Sequence, residues 1–355
     1  MFIHKNALLS RRDFLKLSGV VAASLLAAPL VEHVQAQEPS RLLGRVTASR
    51  LNVRQGPSFQ SPKVGLLQRD TVVEIQEQVW GGIESDYNRL WYRIDEERYV
   101  YSGYVQPVQP RTNSPLETLA APTLGEVTIP FVDSLWGLNR KPRPGPRLYY
   151  SSTHWVTDVV EERGRSILWY QCLDTLWNTF YYVPAAALYL YRDEELAPLS
   201  ADIPEEEKYI EIVLDEQRLY AYEGDRLVYQ ARTATGRRGY ETPLGEFKTF
   251  HKRPTYHMTG GSDARSVFDL PGVPWDTYIT ANGVAIHGTY WHNDFGTTHS
   301  HGCINLRPQD ARWIYLWTTP VVPPHERLAL TPGKGTRVRV VQRRETFPQN
   351  TLRIR

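Results

Sequence analysis

Cysteine is scarce in this 355-residue chain, which has only Cys172 and Cys303. Two thiols cannot staple a small scaffold, and a chain of this length can bury proper cores without disulfides. Long apolar runs are lacking too. The stretch from Val20 to Val31 is shorter than the ~20 residues needed to cross a bilayer. Nor is there an excess of one charge, with 41 Lys and Arg against 39 Asp and Glu. Residues 1–36 carry Lys5, Arg11, Arg12 and Lys16 against Asp13 and Glu32, which accounts for the whole net +2. The remainder is close to neutral, so no basic nucleic-acid face is indicated. Helical periodicity is rare, being confined to one stretch after Pro308.

Aromatic residues are abundant, with 21 Tyr and 10 Trp. They suit β-rich packing and equally suit surfaces that stack on sugars or peptides. The length implies two or three domains. At the N-terminus, SRRDFLKL (Ser10 to Leu17) precedes the apolar stretch, and VQA (Val34 to Ala36) offers small residues for cleavage. This looks like a twin-arginine export signal, with the mature chain expected to start near Gln37. The competing reading is an uncleaved amphipathic anchor. No cysteine follows the apolar stretch, so a lipid-modified N-terminus is not expected. Export would place the protein in the periplasm, cell wall or medium.

Residues 42–108 read as short strands. LNVRQGPS (Leu51 to Ser58) alternates and then turns at Gly56-Pro57, and VGLLQRDTVVEIQEQ, LWYRID and YVYSGYVQPV continue the pattern. The segment resembles a bacterial SH3 (SH3b) domain, and a generic small β-barrel predicts the same shape. Residues 109–125, within a stretch rich in Pro, Ser and Thr, read as a linker. Beyond it, LWYQCLDTLWNTFYYVPAAALYLY (Leu168 to Tyr191) partly echoes LWYRIDEERYVYSGYVQPV (Leu90 to Val108). Residues 126–192 therefore read as a second, degenerate SH3-like module, with NRKPRPGPRLYY (Asn139 to Tyr150) as a solvated loop. From residue 207 the chain is again mostly β. Strands are expected at Ile210–Leu214, Arg218–Tyr222, Leu227–Thr233, Thr277–Thr280, Val284–His287 and Thr336–Val341. Pro308 then opens a helix with Ala311, Ile314, Tyr315 and Leu316 on its apolar face.

The chemistry concentrates in SHGCINL (Ser300 to Leu306) and GVAIHGT (Gly283 to Thr289). His299, His301 and Cys303 alternate, with His287 and His292 nearby, so a metal must be considered. Three ligands in five residues lack the paired spacings of closed zinc sites. A plain buried cysteine in a glycine turn accounts for Cys303 but not for its neighbours. As a nucleophile, Cys303 needs a base, because a thiol with a reference pKa of about 8.5 is mostly protonated at neutral pH. It also needs backbone N–H groups aimed at an oxyanion. His287 can serve as base, and His301-Gly302-Cys303 can supply the donors, with Gly302 permitting the tight turn. Cys172, in LWYQCLDTLW, has apolar neighbours that suggest a buried thiol. A Cys172–Cys303 disulfide would exclude the nucleophile reading.

IHGT (Ile286 to Thr289), SHGCIN (Ser300 to Asn305), IEIVLDEQRLYAYEGDRLV and TATGRRGYETPLGEF (Thr233 to Phe247) together resemble the L,D-transpeptidase (YkuD-like) catalytic domain over about residues 207–341. Thr235 stands where Ser is frequent in that family. The resemblance implies a mainly β fold: a β-sandwich with one main helix, here preceded by two small SH3-like barrels. It implies Cys303 as nucleophile and His287 as general base, with the Gly288 carbonyl orienting the imidazole. Backbone N–H groups of His301, Gly302 and Cys303 form the oxyanion hole. Ser300 and His301 shape the loop and Asn305 fixes it. The implied substrate is a peptidoglycan tetrapeptide stem, whose terminal D-alanine is expelled, and the acceptor is an amine on a neighbouring stem, giving a 3→3 cross-link. No metal or organic cofactor is implied.

Residues 251–275 sit where that family carries a lid or substrate-facing loop. Tyr256, His257, Met258 and Trp275 either line a donor groove or pack, and the same choice holds for Tyr290 and Trp291 beside the base. The SH3-like modules are expected to contact glycan or wall. A carboxypeptidase, with water replacing the amine, needs the same residues. An NlpC/P60-type peptidase also pairs Cys with His and travels with SH3b modules, but there the cysteine precedes its histidine. A wall-binding protein with a vestigial catalytic domain is the non-enzymatic alternative, and the intact His287 and SHGC set weighs against it.

Overall fold

The computed structural model describes residues 41–82, 87–139, 141–162, 167–261 and 267–343. The export-signal reading of residues 1–36 lies outside them. No helix among the described residues is long and apolar enough to cross a membrane. Two compact units divide the chain, one ending at Pro110 and one holding Arg111 onward.

The first unit is all β. Its strands are β1 (Leu43–Val46), β2 (Arg50–Arg54), β3 (Lys63–Gln68), β4 (Val72–Glu74), β5 (Glu77–Trp80), β6 (Leu90–Asp95), β7 (Arg98–Tyr101) and β8 (Val105–Val108). They form sheets in the orders β4-β1-β8 and β3-β2-β7-β6-β5. The alternation in LNVR has its expected consequence: Leu51 and Val53 point inward with Val46, Val100 and Val105, while Asn52 and Arg54 turn outward. One polar group goes inside as well. Arg45, buried, reaches Asp70 Oδ1 at 3.0 Å and Gln106 Oε1 at 2.8 Å, so its charge is paired rather than stranded.

The second unit begins with a seven-stranded sheet. Its members are β9 (Thr123–Val127), β10 (Phe131–Leu135), β11 (Pro144–Tyr149), β12 (Thr153–Glu162), β13 (Ile167–Asp174), β14 (Thr179–Pro184) and β15 (Leu188–Leu190), in the order β11-β10-β14-β13-β12-β9-β15. The sequence echo has a structural counterpart. In both places a hairpin (β6–β7, β13–β14) leads through a 3-10 turn to a strand paired antiparallel with the first strand of its module. The proline-rich stretch is not all loop, because its second half, Pro144–Tyr149, pairs with β10 and leaves only its start unpaired. Prolines 144 and 146 are tolerated because β11 is an edge strand.

The remaining strands are β16 (Lys208–Val213), β17 (Arg218–Glu223), β18 (Arg226–Arg232), β19 (Gly245–Lys248), β20 (His251–Gly260), β21 (Phe268–Tyr278), β22 (Ala285–Gly288), β23 (Ile304–Leu306), β24 (Ala329–Leu330) and β25 (Arg337–Val341). They build two five-stranded sheets, β18-β17-β16-β25-β19 and β23-β22-β21-β20-β24. One core joins them: Ile210, Ile212, Leu219 and Ala221 from the first sheet meet Trp275, Ile286, Ile304 and Leu306 from the second. The helix α1 (Pro308–Trp317) buries Ala311, Ile314, Tyr315, Leu316 and Trp317 in the same core. Pro308 opens it at a position where a missing N–H costs nothing. This is a mainly β sandwich with one α-helix among the described residues.

Within residues 251–275, expected at a lid or substrate-facing loop, the described residues are largely strand. Their ends pair as the long antiparallel ladder β20–β21, running from His251↔Tyr278 to Gly260↔Phe268. Alternating buried and half-buried residues along β20 hold it flat in the sheet.

The seven-stranded module packs directly on this hairpin. Thr153 Oγ1 donates to the Pro254 carbonyl at 2.8 Å, and Thr255 Oγ1 donates back to the Thr153 carbonyl. His257, buried, lies between the carboxylates of Asp174 (2.8 Å) and Asp269. Hydrogen bonds to both hold the His257 pKa above its ordinary value despite its burial.

Candidate active site

Cys303 and His287 are brought together by strand pairing. β22 and β23 run parallel, with Ile286↔Ile304, His287↔Asn305 and Gly288↔Leu306 in register. Cys303 is the residue just before β23, beside Ala285 of β22. The thiol and the imidazole thus lie on neighbouring strands, two residues apart in register, a separation along the strands of ~6.6 Å that side chains can close. Ile286 and Ile304 alternate to the opposite face and enter the core, which anchors both strands.

His287 is buried, and its Nδ1 lies 3.0 Å from the Gly288 carbonyl oxygen. A carbonyl only accepts, so Nδ1 carries the proton and Nε2 holds the basic lone pair. Burial lowers the imidazole pKa to about 4. The Cys303 thiol, half-buried, donates to the Gly283 carbonyl at 3.6 Å, and burial raises its pKa to about 11. The resting pair is therefore neutral thiol and neutral imidazole. Transferring the proton between them at rest costs on the order of 10 kcal/mol before their mutual attraction is counted. Burial thus favours the neutral pair over a separated thiolate and imidazolium at rest. Both cysteines are free; Cys172 is fully buried, and burial pushes its thiol well up.

The loop before Cys303 is fixed by its own atoms and by the TATG segment. Ser300 Oγ donates to the Cys303 carbonyl at 2.6 Å and accepts from the Gly302 N–H at 3.1 Å. That bond engages one of the three backbone donors expected at the oxyanion hole. Gly302 has φ +114°, a conformation that side chains rarely adopt. Thr242 Oγ1 donates to the Gly302 carbonyl at 2.8 Å and accepts from the Gly236 N–H at 2.9 Å. Ala234 and Asn305 exchange backbone bonds at 3.0 Å each way. The sequence reading gave Ala234, Gly236 and Thr242 no role, although the segment containing them stood out.

His301 does not serve as base. Its Nε2 sits 2.8 Å from the Arg237 guanidinium, which can only donate, and its ring packs edge-on against Tyr240. Asn305, buried, meets His292 Nε2 at 3.0 Å, while His292 Nδ1 accepts the Asp294 N–H. Burial holds the His292 pKa far below normal, so its Nε2 carries the proton and calls for the amide oxygen of Asn305 opposite it. No cluster of three metal-ligating side chains occurs among the described residues.

The expected groove residues divide. Trp275 is 1% exposed, wedged between Tyr191 and Tyr315, and belongs to the core. Tyr290 is also 1% exposed, stacked on Tyr149 with its hydroxyl on the Pro271 carbonyl. Neither can line an open groove. Trp291, half-buried, tilts against His287 with ring centroids 5.7 Å apart. Tyr256 and Met258 are half-buried on β20, and Arg253 lies 4.5 Å from the centre of the Tyr256 ring. His257 is taken by the seam with Asp174.

Comparison with known proteins finds two domain families in the chain. Residues 207–340 match the L,D-transpeptidase catalytic domain, and residues 49–106 match the bacterial SH3 domain. The site-bearing part of the chain is thus the part similar to L,D-transpeptidase catalytic domains. Among curated relatives, an L,D-transpeptidase YkuD of Bacillus licheniformis is 29% identical over 126 residues, covering 35% of this chain and 65% of the relative. L,D-transpeptidase 3 of Mycobacterium tuberculosis is 34% identical over 86 residues, covering 22% of this chain and 32% of the relative. The chain therefore spans just under two thirds of the first relative and about a third of the second. A solved L,D-transpeptidase from Mycobacterium smegmatis is 18% identical, covers 46% of this chain and 73% of its own, and superposes with a TM-score of 0.32.

Proposed function

We propose that this protein is an exported L,D-transpeptidase that acts on peptidoglycan stem peptides through an acyl-enzyme on Cys303. The observation that carries the proposal is the parallel β22–β23 pairing, which sets a base with a defined basic nitrogen beside a half-buried thiol. In the first half-reaction, Cys303 Sγ bonds to the carbonyl carbon at the L-centre of the stem's diamino acid while His287 Nε2 takes the thiol proton. The tetrahedral oxyanion faces backbone donors of the Ser300–Cys303 loop. Its collapse breaks the C–N bond, and His287 returns the proton to the departing D-alanine amine. In the second half-reaction, an acceptor amine attacks the thioester, His287 takes the amine proton, and the thiol leaves protonated. This gives a 3→3 cross-link. Water as acceptor gives a carboxypeptidase from the same residues. The twin-arginine-like N-terminus supports export, and the SH3-domain match supports wall contact by the first unit.

Mass spectrometry of products from defined tetrapeptide stems tests the reading. Loss of D-alanine with formation of stem dimers is expected, and Cys303→Ala is expected to abolish both. Binding of stems without any turnover would overturn it.

A further inference from the structure

One carboxyl near the pair is unexplained by the mechanism above. Asp276 on β21 is fully buried, and neither of its carboxyl oxygens has a hydrogen-bond partner among the described residues. Strand register says where it lies. Thr277 pairs with Ile286 and Tyr278 with Ala285, so one more step along the antiparallel ladder brings Asp276 level with His287. Thr277, Ile286 and Ile304 are buried on the core side of the sheet. Alternation then sets Asp276, His287 and Asn305 together on the other side, with Tyr278, Ala285 and Cys303 beside them. A strained, off-pattern residue precedes it, since Trp275 has φ +66°.

The groups around Asp276 can be named from each neighbouring element. On β20, Arg253 is its cross-strand partner, with Tyr256 beside the guanidinium. On its own strand, Tyr278 is stacked on His251. Cys303 and His287 lie across β22 and β23, and Tyr315 of α1 is close enough to feel its charge. Lys252 belongs to the opposite side, where its ammonium donates to the Tyr315 and Thr318 carbonyls. Arg253 is the cation that acts on Asp276 from this side. It forms no ion pair with Asp276, and its Nε is engaged with His251 Nε2 at 2.9 Å.

Burial outweighs the pull of Arg253 and of the residue's own backbone N–H on the carboxylate, which favours the neutral acid at rest. Resting on the reading of Cys303 and His287 given above, we propose that Asp276 is a positioning acid for the nucleophile: as a neutral acid it leaves the pocket uncharged for thiolate formation, and as a carboxylate it would hold Cys303 protonated. Burial pushes its carboxyl well above the usual range, and its charge in turn raises the Cys303 thiol. Two acids in one dry pocket share a single negative charge, and each opposes the ionisation of the other.

Alkylation of Cys303 by iodoacetamide tests this without any stem peptide, so it is independent of whether the enzyme reading holds. Thiolate displaces iodide, and the rate reports the thiolate fraction. In Asp276→Asn the logarithm of the rate is expected to rise by one per pH unit from pH 7 to 10. The parent is expected to coincide with it near pH 7 and fall several-fold behind as rising pH removes the Asp276 proton. Asp276→Glu is expected to restore the bend. Curves that coincide throughout would remove the coupling. A faster Asn variant already at pH 7 would mean that Asp276 is charged at rest. Either result overturns the proposal. Should the Asn variant fail to fold, infrared spectra of the parent decide: a protonated carboxyl band persisting at pH 7 supports the proposal, and its absence overturns it.

Discussion

His287 gives its Nδ1 proton to the carbonyl of Gly288, the next residue in its own strand, at 3.0 Å. The imidazole proposed as base is therefore oriented by a neutral backbone group rather than by a carboxylate. A carbonyl fixes the tautomer but adds little to basicity, and burial lowers the pKa to about 4. His287 works as base only when neutral. The acid limb of kcat/KM is expected near pH 4, far below the 6.5 of an ordinary imidazole, and it should fall as pH drops through that value. His287→Gln is expected to lower kcat by ~10²–10⁴. Product assays from pH 3.5 to 7 check both, and an acid limb at pH 6 or above would contradict the burial argument.

Two further buried imidazoles make stability depend on pH in the same sense. His154, wedged between Ser152 and Tyr181, has its pKa lowered to about 3, and His292 lies well below normal. An unfolded chain protonates all three near 6.5, whereas the folded chain does not until about pH 4 or lower. The unfolded state thus binds up to three more protons in that window from these groups, and His251, half-buried with a lowered pKa, adds in the same sense. Asp276 and Asp310, whose carboxyls are raised by burial, oppose this by two at most. Stability is therefore expected to fall as pH drops from 6.5 to 4. The raised pKa of His257 acts the other way, its contribution being complete below 6.5 and lost as pH rises through its folded value. Urea midpoints at pH 5 and 7 check the sign. His154→Gln should reduce the difference between them.

Most of the catalytic fold was legible because its signals are local. Alternation in LYAYE and YIEIV marks β17 and β16, and Pro308 with Ala311, Ile314 and Tyr315 marks α1. Cys303 and His287 stood out because a glycine turn and a nearby histidine can be read from one line of sequence. The groove residues could not be divided that way. Trp275 and Tyr290 look like Trp291 in composition, and only the neighbours Tyr191, Tyr315 and Tyr149, each from a distant segment, decide which rings are buried. His257 was invisible as a seam residue for the same reason, since Asp174 is 83 positions away. Asp276 carries no motif at all, and only strand register reveals its place.

Ser300 closes the nucleophile loop with two bonds, one to the Cys303 carbonyl and one from the Gly302 N–H. Ser300→Ala would leave both groups without that oxygen in a partly buried loop, at a cost of ~1–3 kcal/mol. The loop would also lose the geometry that holds its backbone donors. The expected outcome is a kcat loss of at least tenfold with KM little changed, and Thr242→Val should act similarly from the other side of Gly302. Steady-state kinetics on stem tetrapeptides check this. An unchanged kcat would show that the loop is held by its β-bridges to Ala234 and Gly236 alone.

The seam between the seven-stranded module and the β20–β21 hairpin offers a sharper test of whether that module belongs to the catalytic unit. Gly272 has φ +72°, and a Cβ there would lie 2.6 Å from the Thr153 carbonyl oxygen and 2.1 Å from the His154 ring. The backbone atom cannot step aside as a flexible side chain could. Gly272→Ala must therefore part β12 from β21, disturbing the Thr153–Thr255 exchange and the Asp174–His257 contact together. A loss of ~2–4 kcal/mol is expected from the left-handed strain and the clash combined. Pro271, whose carbonyl receives the Tyr290 hydroxyl, is the adjacent residue, so the segment after His287 should move as well. Slower alkylation of Cys303 in a still-folded Gly272→Ala protein is the expected outcome. Unaltered alkylation, despite a lowered unfolding midpoint, would mean that the module only stabilises the hairpin and leaves the nucleophile to its own loop.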